Sequence, residues 1–164
     1  MAQIKIAGDS AAITLDGVYH DANALAPFMV KCDMSTSGTT TKVFRVAPPY
    51  ACNTYEVIVL AGTNDPVVRV FGLDDDWDGD GAPNSDEKHE LDIQNLNYTE
   101  GTGFDLARTG DRHFIIDQAW KALQFEIKEK EFSQGVTATV KVKAYRSGSS
   151  SHEGSYTTVT QSDT

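Results

Sequence analysis

VTATVKVKA, residues 136–144, places Val136, Ala138, Val140, Val142 and Ala144 on one side of an extended chain and Thr137, Thr139, Lys141 and Lys143 on the other. Successive side chains of a strand point to opposite faces, so this alternation predicts a strand with one face in a core and one in water. Just upstream, Leu123, Phe125 and Ile127 alternate in the same way with Gln124, Glu126 and Lys128. Residues 131–135 supply a turn between the two runs, which together predict a hairpin. Shorter β-branched or aromatic runs predict strands over 3–7, 12–15, 27–31, 42–47, 55–60, 67–72 and 112–117. They are punctuated by Gly8-Asp9-Ser10, Asp16-Gly17, 35–41, Pro48-Pro49, 62–66 and 101–103, all rich in turn formers.

About nine strands without a long amphipathic helix predict an all-β fold: an antiparallel two-sheet β-sandwich, wound as a jelly roll or as an immunoglobulin-like domain. One short helix is expected over 85–94, capped by Asn84 or Ser85 and favoured by Asp86 and Glu87 in its first turn. A chain of 164 residues suits one domain. The sandwich is assigned to 1–146, and 147–164, SGSSSHEGSYTTVTQSDT, forms a Ser/Thr-rich tail. Within the tail, residues 157–160 (TTVT) can add as a strand, held by a neighbouring copy or another sheet edge.

The charge balance narrows the partners. Against 14 Lys and Arg stand 24 Asp and Glu, a net charge of -10, which repels phosphate backbones and anionic lipid. Nucleic acid is therefore not an expected partner. No window approaches the roughly 18 apolar residues of a membrane span, and the start MAQIKIAGDSAAITLDG lacks the basic region and apolar run of a secretory signal. The expected setting is a virus particle or an extracellular filament reached without a recognisable leader. Cys32 and Cys52 fit either a disulfide or two core thiols.

Part of the acidity is gathered at Asp74, Asp75, Asp76, Asp78 and Asp80. From Asp76, the segment DWDGDGAPNSDE (76–87) meets the pattern D-x-[DN]-x-[DN]-G-x5-E through Asp76, Asp78, Asp80, Gly81 and Glu87. Ca2+ is a hard cation that takes roughly six to eight oxygens. Three monodentate aspartates, the backbone carbonyl of Ala82, a bidentate Glu87 and Asn84 acting through a water supply that set. Gly81 sits where the chain turns around the ion. A closed oxygen cage leaves little room for substrate, so the expected role of the ion is structural.

Pro83 departs from an EF-hand, whose eighth loop residue offers its amide to a partner loop. The wording DGDGAPNSDE resembles instead the DxDGDGxPDxxE loops of thrombospondin type 3 repeats and of bacterial surface proteins. The resemblance covers these 12 residues, and neither the repetition nor the bracing cysteines of those arrays are seen. It implies a calcium site with Asp76, Asp78, Asp80 and Glu87 as ligands, joined by the Ala82 carbonyl and Asn84.

Other residues point away from catalysis. His20, His89, His113 and His152 are scattered without HExxH or HxH spacing, and no G-x-S-x-G elbow exists. Trp77, at the second loop position, is expected to point away from the ion, toward a neighbour or a sugar ring. Trp120 is expected in the core at a strand entrance. Asp105, Arg108, Asp111 and Arg112 can form surface ion pairs. The expected function is a non-enzymatic, calcium-stabilised subunit that assembles with copies of itself. The rival is a calcium-dependent carbohydrate-binding or adhesion module using Trp77, Tyr98 or Tyr156.

Overall fold

A computed structural model describes residues 2–5, 12–15, 28–38, 40–48, 52–64, 66–79, 82–91, 93, 103–105, 111–130, 135–145 and 157–159. Among them the strands are β1 (Ala2–Lys5), β2 (Ala12–Leu15), β3 (Phe28–Thr36), β4 (Lys42–Val46), β5 (Thr54–Ala61), β6 (Pro66–Leu73), β7 (Lys88–Glu90), β8 (Phe104–Asp105), β9 (Arg112–Ile116), β10 (Ala122–Glu129), β11 (Val136–Tyr145) and β12 (Thr157–Val159). Each of the expected strands has a counterpart within a few residues, because β-branched alternation is satisfied by little else.

The strands from β3 onward form two sheets. One runs β4-β10-β6-β7, with β8 also on β6, and the other runs β12-β3-β11-β5-β9. Every pairing is antiparallel except β12 on β3. β1 and β2 make a separate hairpin, Ala2 opposite Leu15. The antiparallel partners are nested: β3 with β11, β4 with β10, β5 with β9, β6 with β7. A chain that pairs from its outer strands inward, with alternate pairs in opposite sheets, is wound as a jelly roll. An immunoglobulin-like domain would place sequential strands side by side.

Inward faces of both sheets meet in one core. Val30, Met34, Val57, Val59, Val140 and Val142 of the second sheet pack against Phe44, Val46, Val68, Val70, Leu123, Phe125 and Ile127 of the first, all buried. Phe44 and Phe125, register partners, stack at 5.8 Å between ring centroids. Outward positions of β11 are half-buried or exposed, as the VTATVKVKA pattern requires. On that outer face Glu56 accepts from His113 at 2.9 Å and Lys143 at 3.4 Å.

Two expectations are corrected. β10 and β11 do not form a hairpin: β10 lies between β4 and β6, and β11 between β3 and β5 in the facing sheet. Alternation marks a strand with one buried face but carries no information about which edge it joins, and two strands facing each other across the core bury the same residues as two lying side by side.

The helix expected over 85–94 is absent from the described residues: 85–87 are a turn and Lys88–Glu90 is strand. The capping signal is real but local, since Glu87 N–H donates to the Asn84 carbonyl at 3.1 Å and Asn84 N–H to Glu87 Oε2 at 2.7 Å. Beyond that turn the chain gains more by pairing Lys88, His89 and Glu90 with Leu73, Gly72 and Phe71. This register sets Arg69 and Lys88 over the Phe71 ring, at 4.9 and 4.7 Å. Glu90 then grips Arg69 in a two-pronged pair at 2.7 and 3.2 Å.

Of the two readings of the cysteines the core thiols hold: Cys32 and Cys52 are both buried and are not joined by a disulfide. The tail strand expected at 157–160 forms at Thr157–Val159, pairing in parallel with β3 of its own chain.

Candidate metal centre

The acidic loop is the connection between β6 and β7, so it closes the innermost pair of the jelly roll. Its base is fixed by backbone. Asp74 N–H donates to the Glu87 carbonyl at 3.1 Å, and Trp77 N–H donates to the Asp74 carbonyl at 3.2 Å. Asp76 N–H donates to Asp74 Oδ1 at 3.0 Å, an Asx turn of the kind aspartate favours. Gly79 takes φ +84°, a left-handed conformation that a side chain would resist.

Trp77 anchors the loop. Only 1% exposed, it packs with Leu73 of β6 and Ala122 of β10 in a small second core. Lys121 Nζ donates to the Trp77 carbonyl, and Lys121 N–H to the Leu73 carbonyl at 3.0 Å. The indole thus packs on neighbouring side chains and is unavailable to a sugar ring. Its Nε1–H finds no acceptor among the described residues, a cost accepted for burying a large apolar surface.

Asp74, one residue past β6, is tied to His89. Its Oδ2 meets His89 Nε2 at 2.7 Å, and this hydrogen bond, with further help from the Asp76 and Trp77 amides, holds the carboxyl below the usual range. His89 in turn lies along Trp120, with ring centroids 5.8 Å apart. One hydrogen bond and one ring contact therefore link the root of the loop to Trp120, a connection whose parts are 46 residues apart and invisible as a motif.

Of the expected ligands, Asp76, Asp78, Ala82 and Asn84 are exposed on the loop and Glu87 is half-buried at its end. Asp80 and Gly81 lie outside the described residues. No three histidine, cysteine or carboxylate side chains converge on one point among the described residues, and Glu87 Oε2 is held by the Asn84 amide. The donor chemistry, several carboxylate and carbonyl oxygens on one short loop, suits a hard cation.

Trp120, placed in the core by sequence, is only partly buried, and its carbonyl accepts from Tyr55 Oη. Of the scattered histidines, His89 and His113 each meet a carboxylate, Asp74 and Glu56, and His20 and His152 lie outside the described residues, as do Tyr98, Tyr156 and Arg108. Asp111 accepts from Ala61 N–H at 2.8 Å, while Arg112 Nη1 donates to the Asp111 carbonyl at 2.9 Å rather than to a carboxylate. No known protein-family model matches the chain, and no curated protein is significantly similar to it. No helix among the described residues is long and apolar enough to cross a membrane.

Proposed function

We propose that this chain is a non-enzymatic structural subunit: a calcium-braced jelly roll that assembles with copies of itself into a filament or a virus particle. The observation that carries this reading is the placement of the 76–87 loop as the β6–β7 connection, with its second residue driven into the sheet. Calcium bound there through Asp76, Asp78, Asp80, Glu87, the Ala82 carbonyl and Asn84 would neutralise a run of aspartates and lock the innermost strand pair.

Assembly is supported by the edges. β9 is an edge strand whose outward Ile115 is 59% exposed, and β12 is a terminal strand that adds to a sheet edge from a distant part of the chain. Edge strands with apolar side chains and added terminal strands are the usual means by which β-subunits join. Jelly rolls serve in capsids and in lectins alike, so the fold supports this reading by analogy alone.

Electron microscopy of the purified protein, with calcium and with a chelator, tests the proposal alongside thermal melting. Fibres or shells, with a melting temperature that calcium raises, are expected. Dispersed monomers in both conditions, with superimposable melts, would refute it.

A further inference from the structure

A cleft of about 1020 Å³ runs along β9, between it and β7 with the residues that follow β7, at the upper end of the volumes that hold small ligands. Its floor is apolar: Leu91 and Ile93 follow β7, and Phe114 and Ile116 face inward from β9. One wall is Trp120. Its indole lies flat over Gly72, where a Cβ would come within 2.2 Å of the ring, so glycine is what lets it seat there. The ring is fixed further by Nε1–H donating to Gln118 Oε1 at 3.0 Å and by His89 alongside.

At the rim stand Asp111 and Asp117 as acceptors, Arg112 as a donor, and Gln118, whose amide nitrogen remains to donate. A rigid aromatic face beside a mixed set of planar donors and acceptors complements a sugar ring, which offers an apolar C–H face and hydroxyls that both donate and accept. A phosphate or sulfate would meet Asp111, Asp117 and a chain of net charge -10. A cationic side chain would want aromatic faces on opposite sides, whereas Trp120 and His89 are stacked at 28° on the same wall and Arg112 shares the rim.

We infer that the cleft between β7 and β9 binds a neutral oligosaccharide, one pyranose resting on Trp120 and its neighbours hydrogen-bonded by Asp111, Arg112, Asp117 and Gln118. This site needs neither self-assembly nor an ion in the loop. Calcium binding can fail while sugar binding succeeds, and the reverse; copies joined along β9 would cover the cleft, so sugar binding is read on dispersed protein.

Titration calorimetry with cellohexaose, chitohexaose, mannohexaose and laminarihexaose, on the full chain in calcium, tests it. At least one is expected to bind with Kd between about 10 μM and 1 mM. Trp120→Ala is expected to weaken that binding at least about tenfold. Because Trp120 also covers Gly72, Asp117→Asn serves as the variant that keeps the fold: it should weaken binding about fivefold with an unchanged melting temperature. No heat with any of the four sugars overturns the inference. So does sugar binding that survives Asp117→Asn and Trp120→Ala intact, or binding of polylysine in place of sugar.

Discussion

Replacing Trp77 separates two opposed energies at the root of the loop. Truncation to alanine empties a site that is fully enclosed by Leu73, Ala122 and the sheet, and buried Trp→Ala changes cost about 3–5 kcal/mol. It also removes an indole N–H that has no acceptor among the described residues, which returns about 1–3 kcal/mol. The net expectation for Trp77→Ala is a loss of about 2 kcal/mol, or about 4–8 °C in melting temperature for a domain of this size. Trp77→Phe leaves a void on the order of 40 Å³, costing about 1 kcal/mol for the cavity and a similar amount in lost transfer. Relief of the orphan N–H offsets this, so Trp77→Phe is expected within about 1 kcal/mol of the parent. Urea unfolding followed by circular dichroism, in chelator so that ion binding does not contribute, measures both. If Trp77→Phe proved as destabilising as Trp77→Ala, the idea of an unsatisfied indole would be wrong. If Trp77→Ala cost almost nothing, the anchoring of the loop would be wrong.

At calcium a hundredfold above Kd, stability is expected to rise by about 2.7 kcal/mol, and Glu87→Gln or Asp78→Asn should abolish most of that rise in a melting titration; identical melts in calcium and chelator for the parent would exclude the site. Burial, reinforced by Asp33, pushes the Cys32 thiol up from 9.0 to about 12, so it should ignore aromatic disulfide reagents at pH 8 until urea unfolds the chain. Because the folded thiol keeps its proton while the unfolded one releases it near 9.0, stability should fall as pH rises between about 9 and about 12, less steeply in Cys32→Ala, as urea titrations at successive pH values will show. Glu129, buried at the end of β10, accepts the N–H groups of Gly38 at 2.8 Å and of Gly135. Glu129→Ala should cost about 2–4 kcal/mol and speed hydrogen exchange at both glycines, and unaltered exchange there would rule out this tie.

The strands and their buried faces were legible in the chain because a period of two is a local property. Val136 to Ala144, Leu123 to Ile127 and the residues of β5 each state their own inward face without reference to a partner. The acidic pattern of the 76–87 loop is local for the same reason, since it lies within twelve consecutive residues. The turn at 84–87 was read correctly as a cap and wrongly as a helix start, since the same Asn84 and Glu87 bonds begin a helix or end in a single turn. What decided between them was Phe71, 13 to 16 positions upstream of the turn, offering a face to Lys88 and Arg69.

Composition and periodicity by themselves determined an all-β sandwich, its core residues and a candidate calcium loop. Tertiary structure alone decided that β10 and β11 face each other across the core, that pairing is nested and therefore jelly-roll, that the two thiols stay apart, and that Trp77 points into the sheet while Trp120 walls a cleft. The physical reason is that which faces are buried is set by neighbours two residues apart, whereas which strands meet is set by contacts between residues such as Asp33 and Thr139, 106 positions apart, whose loop-closure entropy only the complete fold repays.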